Sequence, residues 1–352
     1  MSENRQEKKK RYIWKALFAL FNIAVIATTA FNEFSGNKSG MTEIGLVKNA
    51  PFFLGCTTVC LIILLIAESL KYCLMMRSLG EKPSFRIAFE TASLGKYYDS
   101  ITPSGAGGQP FQILWLHKHG YSDGNSSAMT ITGYITMQTG FILLALSTFI
   151  LARSVELEAI RFTAYLGLLF FSLVPALMIL FSYKPKMVKR LIAGIIRLGA
   201  KIRVIKKPEE STQQFVRKLD SYHTSFKGLS RDKKVLSLLL FLSLLYRFAL
   251  CSMPYFVLKM FGASVSFFHI FALTIYIYAA ITLVPTPGNS GAAEGAFYLV
   301  FSAMGSNGVF WAMLIWRFFC YYSFIAVGVG IYAVNAVHNL RLKKWNRLST
   351  TD

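Results

Sequence analysis

Apolar residues run in long blocks along this chain, separated by short polar and basic stretches. Six blocks, residues 12–31, 52–70, 126–151, 161–182, 235–258 and 309–337, run from 19 to 29 residues. A helix needs about 20 to cross a hydrocarbon core roughly 30 Å thick, so each predicts a full transmembrane span. Two further apolar stretches, 85–118 and 264–304, are interrupted by helix-breaking phrases. The pattern predicts an all-α, polytopic integral membrane protein: six full spans plus two broken hairpins, or eight spans if each hairpin is counted as one.

The two interruptions are related. The first reads Thr102-Pro103-Ser104-Gly105-Ala106-Gly107-Gly108-Gln109-Pro110 and the second Thr286-Pro287-Gly288-Asn289-Ser290-Gly291-Ala292-Ala293-Glu294. They share T-P-x-x-x-G and lie 184 residues apart, about half the chain. Irregular backbone at membrane depth survives only where protein or a wet cavity covers its N–H and C=O groups. Paired breaks in corresponding halves point to a transport site between repeats.

Charge decides orientation. The net charge is +21, and 31 of the 38 basic residues fall in 1–15, 71–119, 183–234 and beyond 340. Crowding on alternate connections is the positive-inside pattern; it reports topology and gives no reason to expect a nucleic-acid partner. The basic start, the 183–234 linker and the tail are expected in the cytoplasm. Loops 32–51 and 152–161 carry mixed charge and are expected outside. Six crossings bring the chain back to its starting side, so the parity holds. The stretch 85–118, flanked by Lys82, Arg86 and Lys118, then dips in from the cytoplasm, and 264–304 from the opposite side. That is an inverted repeat; reading 264–283 and 286–304 as two ordinary spans preserves parity equally. Residues 8–11 before 12–31 imitate a signal peptide, but the run exceeds the usual 7–15-residue apolar region and contains Asn22, so an uncleaved first span is expected.

The expected organisation is a tail (1–11), a first membrane half (12–182) with its break at 102–110, and a basic linker (183–234). A second half (235–338), broken at 285–297, and a tail (339–352) follow. In the linker Met187, Val188, Leu191, Ile192, Ile195 and Ile196 share a helical face, with Lys186, Lys189, Arg190, Arg197 and Lys201 around it. This describes either a basic amphipathic helix in the headgroup plane, drawn to anionic lipid, or a connector packed on the bundle. Residues 206–231 read as a second, more polar helix.

Candidate chemistry gathers at the breaks. A helix restarting in the membrane presents N–H groups and the positive end of its dipole, a ready anion site. Gly105, Gly107 and Gly108, and Gly288 and Gly291 opposite, would let a phosphate approach closely. The competing reading is a structural kink for tight helix crossing. Gln109, Gln112, Gln138, Asn289 and Ser290 would line a cavity or join helices. Ionisable groups at membrane depth are costly, which makes Arg317, Arg247, Glu294, Lys96 and Asp99 candidates. Arg317 would meet a lipid phosphate, or pair structurally with Glu294 or Glu68; Glu294 would face a cationic headgroup or a coupling proton. Lys96 and Asp99 would pair with each other. Catalysis finds little support. Gly288-Asn289-Ser290-Gly291 imitates a membrane serine-protease motif, but the only later histidine, His338, falls at the wrong depth. No acidic cluster suits a phosphotransferase metal, His117 and His119 are weak metal evidence, and the five cysteines read as small buried hydrophobes. No catalytic residue, metal or cofactor is expected.

At these residues the chain resembles a known family. Ile101–Gln112, Pro285–Phe297 and Arg317 look like the lysylphosphatidylglycerol synthase transmembrane-region family, the flippase-like membrane domain of the multiple peptide resistance factor. The resemblance covers roughly residues 12–338 and implies lipid handling at a bacterial cytoplasmic membrane. It implies translocation of a phospholipid or related charged lipid, with aminoacyl-phosphatidylglycerol the substrate of the best-understood members, which confer resistance to cationic peptides. About a dozen residues follow the last span, so the expectation is a stand-alone member without the synthetase domain. A glycolipid or polyprenyl-linked sugar, or a non-transporting scaffold for a separate lipid-modifying enzyme, are the other readings. Membrane lipids with anionic headgroups are the expected partners, and an oligomer is left open.

Overall fold

The computed structural model describes residues 50–103, 105–151, 158–201, 208–305 and 308–348. The expected N-terminal tail (1–11) and first span (12–31) lie outside them, as do 32–49, 152–157 and the end of the C-terminal tail. Five long apolar helices match the other five spans: α1 (Ala50–Ser78), α4 (Asp123–Leu151), α5 (Glu158–Tyr183), α8 (Lys233–Met260) and a final span made of α11 (Val309–Arg317) and α12 (Ser323–Leu348), joined by a π-helical turn at Phe318–Tyr322. The interrupted stretches are pairs of shorter helices, α2 (Phe85–Ile101) with α3 (Gly108–Lys118), and α9 (Phe267–Ile281) with α10 (Ala292–Ala303). The linker holds α6 (Pro185–Lys201) and α7 (Pro208–Arg231).

At 1.5 Å per residue the 15 residues of α9 and the 12 of α10 reach only about 22 and 18 Å, short of a crossing of roughly 30 Å. They form a hairpin rather than two spans. Side-chain caps start several helices: Ser84 accepts from the Ile87 N–H at α2, Ser266 from His269 at α9, and Asp232 from Lys234 and Val235 at α8. Pro175 in α5 and Pro254 in α8 lie inside continuous helices, as membrane helices tolerate.

Each long helix is apolar on nearly every side, so its buried face is set by its neighbours. In α1, Cys60, Leu64, Ala67, Lys71 and Met75 are buried, while Phe52, Val59, Ile62, Ile66 and Leu70 form an exposed stripe on another face. Helix α1 packs along α8, and these two, with α9, α10 and α11, hold the main core. The helix α1 runs to Ser78, past the expected end at 70, because its buried Lys71 is satisfied by Glu68 and the Gly133 carbonyl. Helix α5 crosses α9 at Gly167, where any Cβ would come within 2.7 Å of the Ala279 carbonyl carbon. Small residues allow such backbone approach in membrane bundles.

The hairpins open at opposite ends. Asn125 at the start of α4 bonds Glu81 beyond α1 (2.7 Å) and Ser225 of α7 (2.6 Å), while His117 of α3 pairs with Asp123 (2.8 Å). The open end of α2–α3 therefore sits on the side of the basic linker. At the other end Phe261, just past α8, packs against Gly308 before α11, placing the open end of α9–α10 there.

In the linker α7 is packed on the bundle: Tyr222 and His223 bond Ser182 at the end of α5. Helix α6 is tied to it through Lys189–Asp220 (2.7 Å) but leaves Met187, Leu191, Ile195 and Leu198 exposed.

Candidate functional site

The first break is a turn that consumes its own polar groups. Thr102 donates its hydroxyl to the Tyr98 carbonyl (2.7 Å) and accepts from the Gly107 N–H (2.9 Å). Asp99, a turn earlier, accepts from the Gly108 N–H (2.9 Å), placing a carboxylate at the positive end of α3. Gly108 has no room for a side chain, since a Cβ would fall on the Asp99 carboxylate and 2.7 Å from the Gly95 carbonyl oxygen. Gln112 donates to the Thr91 carbonyl (3.4 Å) and packs on Gly95, so it fastens α3 to α2.

The second break is built differently. Asn289, at a left-handed φ of 55°, donates to the Ile281 carbonyl at the end of α9 (2.6 Å). One Glu294 oxygen accepts from the Gly291 N–H (2.7 Å), capping α10, and the other accepts from Arg317 Nε (2.7 Å). A second nitrogen of Arg317 donates to the Ser290 hydroxyl (3.0 Å). Arg317, Glu294 and Ser290 are all buried. A paired guanidinium and carboxylate with their remaining groups hydrogen-bonded is how a membrane interior tolerates two charges.

The two breaks meet. Pro103 lies opposite Pro287 in an isolated antiparallel bridge. Tyr321 completes the junction: its hydroxyl donates to the Ser100 carbonyl (3.1 Å), its ring abuts Gly288, and the Arg317 guanidinium lies 4.5 Å from the ring centroid. The π-turn at Phe318–Tyr322 holds this tyrosine; such bulges recur at functional sites. Gly288 adopts φ 57° with no space between Tyr321 and Ser100 for a side chain.

A cavity of about 280 Å³ opens at this junction. Gly105 and Gln109 line it from the first break, Gly288 and Asn289 from the second, and Lys96, Asp99, Gln138, Arg247 and Arg317 from the surrounding helices. Tyr134, Tyr246, Tyr278 and Tyr321 give it an aromatic wall with hydroxyl groups. Lys96 stands 4.0 Å from Asp99 and over the Tyr246 ring. Arg247 donates to Gln138 (2.8 Å), which in turn donates to Tyr134 (2.9 Å).

The expected site residues thus divide. Gly105, Gln109, Gly288, Asn289, Arg317, Lys96, Asp99 and Arg247 line the cavity, whereas Gly107, Gly108, Gln112, Ser290, Gly291 and Glu294 stand behind it as caps and struts. The N–H groups of Gly107, Gly108 and Gly291 are already taken, so the charge offered to the cavity comes from side chains. Sequence reasoning passed over Tyr321 and Tyr246, although Tyr321 follows Arg317 by one helical turn and Tyr246 adjoins Arg247. It also missed the fully buried Lys71, whose i,i+3 spacing to Glu68 inside an apolar span was the available signal.

Comparison with known proteins follows the same residues. A family model described as the lysylphosphatidylglycerol synthase TM region matches residues 16–328, which include both breaks and Arg317. A UPF0104 membrane protein of Archaeoglobus fulgidus is 25% identical over 269 residues, covering 74% of this chain and 79% of that protein.

Proposed function

From the premise that this chain belongs to the lysylphosphatidylglycerol synthase transmembrane-region family, we propose that it translocates a charged lipid between the leaflets of a cell membrane. The headgroup enters the cavity where the two breaks meet, and the acyl tails stay in the bilayer. The observation that supports this reading is the cationic lining of that cavity, with Lys96, Arg247 and Arg317 around about 280 Å³ of space at the tips of two hairpins. A phosphate crossing the bilayer needs replacements for its water, and fixed guanidinium groups supply them through charge-assisted hydrogen bonds. Arg317 is held in place by Glu294 and Ser290 and still faces the cavity. Glu294 serves by orienting that arginine. The basic α6–α7 side faces the cytoplasm, by the charge rule that orients membrane helices.

Purified protein in vesicles is expected to accelerate leaflet exchange of a fluorescent phospholipid, and Arg317→Ala to abolish that acceleration. Thermal unfolding and gel filtration of the variant separate loss of mechanism from loss of fold. Equal exchange by a folded Arg317→Ala protein would remove Arg317 from the mechanism.

A further inference from the structure

The charges around the cavity do not balance, and the excess sits at one residue. Among the described residues, Lys96, Arg247 and Arg317 line it, and Lys71 lies packed on the same helices. Three of these four cations have a carboxylate: Lys71 has Glu68 at 3.1 Å, Lys96 has Asp99 at 4.0 Å, and Arg317 has Glu294 at 2.7 Å. Arg247 has the neutral Gln138 amide and the faces of Phe141 and Phe171, with the guanidinium carbon 5.1 and 5.9 Å from the ring centroids. Its Nε is buried without a hydrogen-bond partner.

A guanidinium cannot shed its proton in a protein, so Arg247 cannot escape the cost of a low-dielectric site by becoming neutral. A charge in that position is stabilised when the ligand supplies the missing negative partner. The carboxylates argue in the same direction. Glu294 has one oxygen on Arg317 and the other on the Gly291 N–H, and Asp99 has one on the Gly108 N–H and the other toward Lys96. Glu294 is thus fully engaged, and Asp99, the one carboxylate that lines the cavity, already has a cation beside it.

Resting on the translocation reading above, we infer that the cavity selects lipids whose headgroup carries a net single negative charge, a phosphodiester without an amine, and that Arg247 sets this preference. A zwitterionic head brings an ammonium that must compete with Lys96 for Asp99, and a cationic aminoacylated head adds positive charge to positive charge. The planar guanidinium fork matches the phosphate oxygens, and the faces of Phe141 and Phe171 beside it reduce on that side the water that would screen its charge.

The test uses purified full-length protein in detergent, with phosphatidylglycerol, phosphatidylethanolamine and lysyl-phosphatidylglycerol of identical acyl chains, binding being read by native mass spectrometry. Phosphatidylglycerol is expected to bind best and lysyl-phosphatidylglycerol worst, about tenfold apart or more. Arg247→Gln should level the three, while Arg247→Lys retains part of the order. Equal binding by the parent protein, a preference for the lysylated lipid, or an unchanged order in a folded Arg247→Gln variant would each overturn the inference. Free glycerol phosphate is expected not to displace the bound lipid; displacement would assign the site to a soluble phosphate instead. Leaflet exchange of the same three lipids separates this inference from the translocation reading. Ordered binding without exchange would sink translocation alone, whereas exchange indifferent to headgroup would sink the selectivity alone.

Discussion

Glu294 holds two structures together. It caps α10 through the Gly291 N–H and fixes Arg317 through its other oxygen, both at 2.7 Å and both buried. Removing one partner of a buried pair leaves an uncompensated charge, at a cost of about 3–5 kcal/mol. Glu294→Gln is therefore expected to lower the Tm sharply. The double variant Glu294→Gln, Arg317→Ala should lose less than the sum of the two single losses, because the second change removes the orphaned charge. Additive losses in thermal melts would show that the two side chains do not depend on each other. The chain offered this pairing only as an alternative, beside Glu68 and a lipid phosphate as partners of Arg317; the fold gives Glu68 to Lys71 and Glu294 to Arg317. The use of Gly107, Gly108 and Gly291 was not. A glycine-rich turn reads the same whether its N–H groups point at a ligand or at its own Thr102, Asp99 and Glu294, and only the folded backbone chooses.

Among the elements, α6 shows how far periodicity reaches. Its spacing announced one apolar face and basic surroundings, and the folded helix leaves Met187, Leu191, Ile195 and Leu198 exposed while α7 is packed against the bundle. The exposed apolar residues of α5, Phe162, Leu166, Leu169, Phe170 and Leu173 among them, lie just before it in the chain. An apolar stripe flanked by Lys186, Arg190 and Arg197 suits the boundary between acyl chains and anionic headgroups. A tryptophan introduced by Leu191→Trp should gain fluorescence that brominated phosphatidylglycerol vesicles quench, measured as the difference from the parent protein. Quenching by a water-soluble agent, with none by brominated lipid, would place this face in water. In the long spans the pattern was silent about facing, because α1 is as apolar toward lipid as toward α8. The breaks were legible as Pro-Gly phrases; that each interrupts a hairpin follows from the 11, 15 and 12 residues of α3, α9 and α10, too short to cross.

At the scale of the whole molecule, the two hairpins enter from opposite ends and touch at Pro103 and Pro287. Residues opposed in an antiparallel bridge have Cα atoms about 4.5–5.5 Å apart, within the range a disulfide spans. Pro103→Cys with Pro287→Cys is expected to oxidise to an intramolecular cross-link, detectable as a mass loss of about two hydrogens and as changed gel mobility. If the tips must separate for a headgroup to pass, the oxidised protein will stop exchanging lipid and reduction will restore it. Unchanged exchange in the cross-linked protein would mean that the junction stays closed throughout the cycle.

By itself the sequence determined that this chain spans a membrane with helices, where those helices are broken, and which few ionisable residues lie within the apolar blocks. These three follow from local physics: segment length against bilayer thickness, the backbone limits of proline and glycine, and the cost of burying charge. Tertiary structure decided what each charge faces. Glu294 and Arg317 are 23 residues apart, Arg247 and Gln138 are 109 apart, and Tyr321 and Ser100 are 221 apart, and no local rule sets such distances. Only packing brought three cations to one cavity, gave two of them carboxylates, and left Arg247 with a neutral amide and two aromatic rings.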